Sequence, residues 1–385
     1  MSGSGYSGYG YGCVCGSGYG YPISPVTDSV GCAAHGGEGQ DSYSFWQLDL
    51  ATLLKHGAES TFRRDMVRLL EWACVDCRLV PAGLDLQVDK SLCLADTFVG
   101  HGSVSYVYPL VGTALVVKFP TTRRKFGIIV KEALVLAYLH RGMDPSVHVV
   151  PLVGVSYLNR MHYQKLKSSE RIPGLLLPRF DVTLQTYYTN FALTRDNWWE
   201  LAAQMAAVLR HLRDKKIVHS DIKTANILVD TARNAFYLAD FTSAFIADST
   251  ANNSGQLAVN STMEYCPPEL LSSSSASPAT STISYYQADL YSMALCLLSY
   301  ITKCEPYSKV KLLKFEGESN RSSFEKSQWL LNVILQNDPI KFNLQYDDQL
   351  VSLQDWHSEI DLISKLLIDR ISLDDYLLRL NSSSP

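Results

Sequence analysis

The chain has 385 residues, of which 46% are hydrophobic and 19% charged, and its formal net charge is -4. This composition supplies enough apolar material for a sizeable folded core and excludes a mainly disordered protein. The small negative charge gives no global field that would attract nucleic acid or an anionic membrane, so we expect neither as a partner.

The sequence carries no targeting segment that we can identify. No basic region precedes an apolar stretch at the N-terminus, and Ser2 rather than glycine follows Met1, which argues against a secretory signal and against myristoylation. The most apolar run, around Leu290 to Ile301, is too short to span a bilayer and predicts a buried helix. We therefore expect an intracellular protein, cytoplasmic or nuclear.

The nine cysteines favour reduced thiols over a disulfide framework, because their number is odd and no secretory signal accompanies them. Cys74 and Cys77 form a CxxC pair, and Cys13 and Cys15 form a CxC pair. A zinc site is the alternative for these pairs, but the paired ligand spacing that usually accompanies one is missing. Core or surface thiols are the simpler interpretation.

Two segments precede the first strand-like pattern. Residues 1–40 are rich in Gly, Ser and Tyr, so we expect a disordered tail that is passive or uses its tyrosines for self-association or phosphorylation. In residues 41–91, apolar residues such as Leu69, Leu70 and Cys74 recur at three- and four-residue spacing. This spacing predicts a helical extension that packs on the following domain, with a docking or regulatory segment as the alternative.

From about residue 92 the pattern changes to strands and then to helices. It predicts, in order, a strand from Val104 to Tyr108, a turn at Gly112, a strand from Ala114 to Val117, a helix from Ile128 to Leu139, and strands at Val149 to Val155 and Leu175 to Leu177. The remainder is mainly helical. The order therefore predicts a small sheet lobe followed by a larger helical lobe.

A glycine-containing hairpin is the first motif that points to chemistry. Gly100, Gly102 and Val107 fit the pattern GxGxxGxV, except that Ser105 occupies the third glycine position. Glycine lets backbone amides approach phosphate oxygens closely, and the strand-turn-strand setting favours a phosphate-covering flap over a dinucleotide fold. An ordinary hairpin turn is the alternative for this segment alone.

Lys118 and Glu132 form a candidate ion pair. Lys118 ends an apolar strand pattern, and Glu132 follows it within the predicted helix. Each is unremarkable as an isolated surface charge. Their positions after a glycine-containing hairpin resemble those of the phosphate-binding lysine and its orienting glutamate in protein kinases.

The most specific motif is the segment from Ile217 to Leu228, which follows an amphipathic helical pattern. Within it, Asp221, Lys223 and Asn226 complete the pattern HxDxKxxN that begins at His219. The segment resembles the catalytic loop of eukaryotic protein kinases.

Two later segments strengthen the resemblance. Asp240 and Phe241 follow a short apolar run and resemble the DFG element that places an aspartate on magnesium. The segment from Thr262 to Glu269 is similar to the TxxYxAPE sequence that closes a kinase activation loop.

The resemblance covers about residues 92–380 and implies an α+β, bilobal protein kinase fold with a small N-terminal β-sheet lobe, one helix in that lobe, and a larger helical C-terminal lobe. Asp289 begins an apolar helix as the family's anchoring aspartate does, and Arg370 matches the late arginine that pairs with Glu269.

The implied activity is transfer of the γ-phosphate of ATP to serine or threonine hydroxyls of protein substrates. By resemblance, Asp221 orients the substrate hydroxyl and accepts its proton, and Lys223 steadies the γ-phosphate. Asn226 and Asp240 are expected to hold Mg²⁺. Oligomeric state stays open.

On the ATP side, the resemblance assigns the α- and β-phosphates to Lys118, which Glu132 orients. The residues expected to line the nucleotide cleft are Val99, Gly100, Gly102, Val107, Val116, Leu177, Pro178, Phe180 and Leu228. Adenine would lie between two apolar surfaces, with Val107 and Val116 on one side and Leu228 on the other. The hinge would run from Leu177, which would be the gatekeeper residue, to Phe180.

Three positions depart from the family pattern. Ser220 stands where many kinases have arginine, which suggests that activity does not require activation-loop phosphorylation. Ser105 and Thr242 replace glycines and are expected to restrict φ, which can slow the enzyme.

Lys223 and Thr262 resemble the serine/threonine branch, with a dual-specificity enzyme as an alternative.

Three further interpretations stay open. A pseudokinase that acts as a nucleotide-binding or scaffold module is the main rival, because the loop substitutions are unusual. A small-molecule phosphotransferase of kinase-like fold is disfavoured by the segment from Thr262 to Glu269. The run from Leu175 to Leu184 and the short glycine hairpin look similar to herpesvirus-type serine/threonine kinases, which would place the enzyme in an infected host cell.

Overall fold

The computed structural model describes residues 98–122, 125–158, 172–247, 262–272, 284–315, 322–345 and 355–383. The predicted tail, the predicted helical extension and the two cysteine pairs lie outside these residues. The predictions made for them therefore stay predictions.

A five-stranded antiparallel sheet forms the N-terminal lobe. Its strands are β1 (Gly100–His101), β2 (Ser105–Pro109), β3 (Leu115–Pro120), β4 (Gly154–Leu158) and β5 (Ile172–Pro178), in the spatial order β1-β2-β3-β5-β4. Successive side chains of a strand point to opposite faces, so Val116 and Lys118 of β3 share one face while Val117 and Phe119 share the other. Val116 belongs to the main core, whereas Val117 and Phe119 belong to a separate apolar cluster.

The single described helix of this lobe, α1 (Phe126–His140), is buried around most of its circumference. It contacts β3 and β5 on one side and the turn at Phe241–Ser243 on the other. Because α1 lies between the sheet and the rest of the domain, it is apolar on several faces, and its Glu132 side chain is buried.

The C-terminal lobe is helical. Its described helices are α2 (Leu184–Asn190), α3 (Arg195–Asp214), α4 (Pro268–Ser272), α5 (Tyr285–Thr302), α6 (Ser308–Phe315), α7 (Ser323–Gln336), α8 (Pro339–Gln345), α9 (His357–Leu367) and α10 (Leu373–Ser383). Helix α3 begins where the Thr194 hydroxyl accepts the Asn197 N–H, and it packs against α5 and α10. Every residue of α5 from Ala288 to Thr302 is buried, which confirms the predicted buried helix.

Two small sheets position the kinase-like motifs. Strands β6 (Val182–Thr183), β8 (Ile227–Asp230) and β9 (Ala235–Leu238) form one, and β7 (Ile217–Val218) pairs with β10 (Phe245–Ile246) in the other. The loop from β7 to β8 carries Asp221, and the loop from β9 to β10 carries Asp240. This topology brings the two motifs to the same side of the lobe.

The predicted α+β bilobal architecture is confirmed, as are the hairpin of β2 and β3, helix α1 and the strand at Leu175–Leu177. The strand expected from Val149 to Val155 is wrong over its first part. Val149 forms only an isolated bridge to Leu238, and β4 begins at Gly154. The apolar run packs in the core next to β9, so its hydrophobicity reflects burial and not sheet pairing.

Candidate active site

Three charged side chains meet beneath the N-terminal sheet. The Lys118 Nζ lies 2.7 Å from Glu132 Oε1 and 2.8 Å from Asp240 Oδ1. Lys118 is 5% exposed and Glu132 is fully buried, whereas the Asp240 side chain keeps 38% of its surface. The contact expected between Lys118 and Glu132 is therefore present, and Asp240 joins it.

Burial and charge compete in this network. Burial lowers the pKa of Lys118, but the nearby carboxylates of Asp240 and Glu132 outweigh it and raise that pKa above its ordinary value. For Asp240, burial is outweighed by the charge and hydrogen bond of Lys118, so its pKa lies below its usual range. Burial prevails at Glu132 and raises its pKa.

Asp240 owes its position to an unusual backbone. Its φ of 64° and ψ of 67° are left-handed, a conformation that costs free energy in a residue other than glycine. The next residue holds this turn in place, because the Phe241 N–H donates to Glu132 Oε1 at 3.2 Å and the buried Phe241 ring lies edge-on to His219. Strain of this kind is typical of functional sites.

The second charged group surrounds Asp221. Its Oδ2 accepts a hydrogen bond from Lys223 Nζ at 2.8 Å, and its Oδ1 accepts the hydroxyl and the N–H of Thr262 at 2.6 and 3.1 Å. Lys223 also donates to the Thr262 hydroxyl, and the Asn226 amide donates to the Asp221 carbonyl. The carboxylate is thus fixed from the catalytic loop and from the segment that begins at Thr262.

A buried histidine and a buried aspartate support this loop. The Asp289 carboxylate accepts the backbone N–H groups of His219 and Ser220 at 2.7 and 2.9 Å, and burial raises the pKa of Asp289 to about 7 against these two bonds. The His219 Nδ1 accepts the Asp221 N–H, so its proton lies on Nε2, which donates to the Ala239 carbonyl at 3.0 Å. His219 therefore joins the Asp221 loop to the Asp240 loop.

The glycine hairpin is closed by backbone hydrogen bonds. The Val99 N–H donates to the Val107 carbonyl, and the Gly102 N–H donates to the Ser105 carbonyl. A Cβ at Gly100 would touch the Val107 side chain at 3.4 Å, whereas a Cβ at Gly102 would meet no atom within 4 Å among the described residues, apart from its chain neighbours. Packing among the described residues therefore does not require glycine at 102.

The predicted hinge begins with Leu177 and Pro178 at the end of β5 and continues to Phe180 in the connection to β6. Leu177 pairs with Val116 in the sheet, and the Arg179 N–H donates to the Ala114 carbonyl. Pro178 has no N–H, and the Phe180 N–H has no partner among the described residues. Phe180 packs its ring on Tyr237 of β9, which pairs with Leu228. The residues predicted to contact adenine therefore lie on the N-terminal sheet, on the β8–β9 hairpin and on the connection between them.

The expected pair of Glu269 and Arg370 is present. The Arg370 guanidinium lies 2.8 Å from one oxygen of Glu269, donates to the other at 2.9 Å, and stacks 4.2 Å from the centre of the Tyr291 ring. This contact ties the segment after Thr262 to the turn between α9 and α10.

Two departures from the kinase pattern adopt ordinary backbone conformations. Neither Ser105 nor Thr242 has a positive φ, so this conformation does not use the φ range that only glycine enters freely, and the expected effect on rate stays a prediction. Ser105 lies in a regular strand, and the Thr242 hydroxyl donates to Asp240 Oδ1 at 2.8 Å. The left-handed residue in the second motif is Asp240.

One acidic residue next to the site was not predicted. The Glu305 carboxylate accepts hydrogen bonds from the hydroxyls of Tyr188, Thr224 and Tyr265. Glu305 stands before a proline at the end of a helical pattern, where an acid usually belongs to an exposed loop. The sequence holds no signal for it, because its three partners come from three distant segments.

Comparison with known proteins matches residues 98–372 to the family described as protein kinase domain. Serine/threonine-protein kinase ISR1 of Saccharomyces cerevisiae is 39% identical over 321 residues, which cover 75% of this chain and 69% of that protein. Serine/threonine-protein kinase ISR1 of Eremothecium gossypii is 36% identical over 273 residues, which cover 70% of this chain and 74% of that protein. TGF-beta receptor type-2 of Gallus gallus is 31% identical over 142 residues, or 33% of this chain and 24% of the receptor.

These matches do not support the herpesvirus-type resemblance, because neither of the two broad matches is a viral protein. No helix in the part of the chain that the structure describes is long and apolar enough to cross a membrane. Within the same residues, no group of three or more His, Cys, Asp or Glu side chains could hold a metal ion by itself.

Proposed function

The chain belongs to the protein kinase family and is a serine/threonine kinase, and from that premise we propose how its residues divide the transfer of phosphate from ATP to protein. Asp221, Lys223 and Asn226 act on the acceptor side, and Lys118 with Glu132 acts on the ATP side. The observation that carries the proposal is that the two charged groups are joined through His219, which bonds to both loops.

On the acceptor side, Asp221 orients the substrate hydroxyl and accepts its proton as the oxygen attacks phosphorus. Its two oxygens are already held by Lys223 and Thr262, so the carboxylate is presented in one orientation. Lys223 contributes positive charge beside Asp221, where the γ-phosphate would arrive. Positioning and charge stabilisation of this kind supply most of the catalysis in phosphoryl transfer.

The proposed Mg²⁺ ligands are Asn226 and Asp240. The Asn226 amide nitrogen is bound to the Asp221 carbonyl, which leaves its side-chain oxygen for a cation. Asp240 uses Oδ1 for Lys118 and Thr242, and its Oδ2 accepts no hydrogen bond among the described contacts. One carboxylate and one amide oxygen suit Mg²⁺, which usually takes few protein ligands beside phosphates and water. Bound Mg²⁺ would neutralise charge on the phosphate oxygens.

The proposed ATP contacts follow the cleft. Lys118 binds the α- and β-phosphates, and the amides around Gly100 and Gly102 cover them. The Phe180 N–H supplies a hinge donor for adenine, since it lacks a described partner. The apolar contacts to the base come from the side chains of Val99, Val107, Val116, Leu177, Pro178, Phe180 and Leu228.

The assignment is tested by transfer of labelled γ-phosphate from Mg·ATP to dephosphorylated casein. We expect Asp221→Asn to lower kcat by about 10²- to 10⁴-fold, because it removes the general base. Asp374→Asn, at an exposed aspartate paired with Arg213, is the matched control and is expected to retain activity. Mass spectrometry of the product should find phosphoserine or phosphothreonine.

A pseudokinase is the second candidate, favoured by the serine at position 220, where many kinases have arginine. Folded wild-type protein that binds Mg·ATP, but transfers no phosphate to several acceptor proteins or to itself, would establish it. Transfer that persists equally in Asp221→Asn would instead reject the role assigned to Asp221.

We also propose that activity does not depend on activation-loop phosphorylation. At position 220 the catalytic loop has serine, whose hydroxyl donates to the Ser243 carbonyl at 3.1 Å, so the loop offers no cation for a phosphate there. Phosphatase treatment is expected to change the transfer rate by less than about 2-fold. Abolished turnover after complete dephosphorylation would contradict this.

A further inference from the structure

The carboxylate of Glu305 is a meeting point of three hydroxyl groups. The hydroxyls of Tyr188 and Thr224 donate to Oε1, and the hydroxyl of Tyr265 donates to Oε2 at 2.6 Å. The oxygens of Thr224 and Tyr265 also lie 3.1 Å apart. Tyr188 belongs to α2, so a single acid joins a helix, the catalytic loop and the segment after Thr262.

The turn that carries Glu305 is built at a cost in free energy. Lys303 and Tyr307, on either side of it, have φ values of 53° and 61°, in the left-handed region that residues other than glycine avoid. Tyr307 is 1% exposed, and its N–H donates to the Asn343 side chain at 2.8 Å. Strained backbone persists when its surroundings hold it, and it concentrates at functional sites.

The hydroxyl partners stay protonated. Burial, with the charge of Glu305 as a smaller cause, raises the pKa values of Tyr188 and Tyr265. Among the described residues, Glu305 has no cationic partner. Its negative charge is therefore met by hydroxyl dipoles, which define direction more strictly than a long and flexible lysine would.

Two of these hydroxyls lead directly to Asp221. Thr224 follows Lys223, which binds Asp221 Oδ2, and Tyr265 ends the turn that begins at Thr262, which binds Asp221 Oδ1. Glu305 thus connects the two segments that grip the carboxylate of Asp221. The third hydroxyl anchors this connection to a helix of the core.

We propose that Glu305 is a positioning residue for phosphoryl transfer to protein: its carboxylate fixes the catalytic loop and the segment from Thr262 to Cys266 relative to each other. The proposal rests on the function assigned to Asp221 above. Without this carboxylate, Asp221, Lys223 and Thr262 keep their chemistry but lose their common orientation toward the acceptor hydroxyl. The Lys118 network has no described contact with Glu305, so we expect the loss of Glu305 to affect ATP binding much less than transfer.

The experiment compares Glu305→Ala, Glu305→Gln and the control Glu200→Ala, an exposed acid on α3, in the full chain. The measured quantities are kcat/KM for dephosphorylated casein, the Kd of a non-hydrolysable ATP analogue with Mg²⁺, Tm, and hydrogen exchange of the peptide containing Thr262 to Cys266. We expect Glu305→Ala to lower kcat/KM by about 10- to 100-fold, the range for lost hydrogen bonds to a charged group. Glu305→Gln keeps one acceptor oxygen and is expected to recover part of that loss.

The ATP-analogue Kd is expected to stay within about 2-fold of wild type, because the site is separate from the Lys118 network. Hydrogen exchange of the Thr262 peptide should become faster in Glu305→Ala and stay unchanged in Glu200→Ala. A double variant with Tyr265→Phe should lose less than the two single variants together, since both remove the same contact.

Two results would overturn the proposal. One is an unchanged kcat/KM for casein in Glu305→Ala. The other is a joint loss of ATP binding, Tm and transfer, which would assign Glu305 to the stability of the lobe. If the wild type itself transfers no phosphate, the proposed function fails, and hydrogen exchange alone decides: equal exchange in Glu305→Ala and wild type would reject the positioning role.

Discussion

The proposed ATP side and the proposed acceptor side of this site are held by different chemistry. On the ATP side, one lysine bridges two carboxylates, and burial is nearly complete at Lys118 and Glu132. On the acceptor side, Asp221 is held by Lys223 and by the hydroxyl and N–H of Thr262. The first is a closed ion network, and the second is an open arrangement of directional hydrogen bonds.

This difference determines what a substitution should damage. A buried ion pair that loses one partner leaves an unpaired charge in a poorly solvated place, so both folding and binding suffer. On the acceptor side, the loss of one hydroxyl leaves the Asp221 carboxylate with its ion pair to Lys223, so we expect geometry to suffer more than stability. We therefore expect stability effects on the ATP side and kinetic effects on the acceptor side.

The largest effect in this comparison is expected for Lys118→Met. It removes the cation shared by Glu132 and Asp240, so transfer should fall by about 10²-fold or more, and Tm should fall by several degrees. Lys118→Arg keeps the charge and is the matched control, expected to lose transfer but to retain most of the Tm. Thermal unfolding of both proteins at pH 7 decides the point, and an unaltered Tm in Lys118→Met would contradict the buried-charge argument.

On the acceptor side, Arg370→Met should have a smaller effect, about 10-fold on kcat/KM for a protein acceptor, because Arg370 Nη2 contacts both oxygens of Glu269 and holds the segment after Thr262. Arg370→Lys should recover only part of this, since lysine lacks the planar guanidinium that stacks on the Tyr291 ring. The matched control is Arg213→Met, which removes an exposed bidentate pair with Asp374 and should leave activity unchanged. Steady-state kinetics with casein would show equal losses in both methionine variants if the position of the pair did not matter.

Local motifs explain why so much of the ATP side could be predicted. Strand and helix periodicity predicts β3 and α1, and the resemblance to kinases predicts the contact between Lys118 and Glu132. On the acceptor side, the same resemblance predicts the pairing of Glu269 with Arg370. Each of these residues belongs to a short sequence pattern that can be recognised without knowledge of the three-dimensional fold.

The acceptor side could be predicted less well because its contacts depend on that path. Glu305 meets Tyr188, Thr224 and Tyr265 only after four distant segments of the chain have folded together. Thr224 and Tyr265 lie in the two kinase-like motifs, but no motif includes Glu305 or Tyr188. Periodicity also cannot tell a buried connection from a strand, which is why the segment around Val149 was assigned to the sheet.

Backbone conformation was hidden from the sequence as well. Kinases have glycine at the third position of the DFG element, which suggests that φ must be free at that position. In this chain the left-handed residue is Asp240, and Thr242, at the third position, is an ordinary turn residue. We therefore expect Thr242→Gly to change kcat by less than about 5-fold, through loss of one hydrogen bond to Asp240. Thr242→Val removes the hydroxyl without adding backbone freedom. Similar kcat values for the two variants would assign the effect to the hydroxyl, and a large gain in Thr242→Gly alone would restore the backbone explanation.

Lys131 gives the smallest expected effect and the sharpest test of the buried-charge argument. It precedes Glu132 on α1, its one described hydrogen bond is to the Thr242 carbonyl at 3.5 Å, and burial lowers its pKa to about 8 although Glu132 opposes this. The unfolded chain holds the proton up to about pH 10.5, so stability should rise with pH between these two values. Below pH 8 the folded protein bears the full cost of a partly buried cation.

Lys131→Met should therefore raise Tm by a few degrees at pH 7, and this gain should shrink toward pH 10 as the wild-type lysine loses its proton. Lys341→Met, at a largely exposed lysine, is the control and should shift Tm little at either pH. Thermal unfolding of the three proteins at pH 7 and pH 9.5 measures both slopes. If the Tm gain of Lys131→Met stayed constant with pH, the gain would come from better packing of methionine than of the lysine stem. The positive charge of Lys131 would then cost little stability.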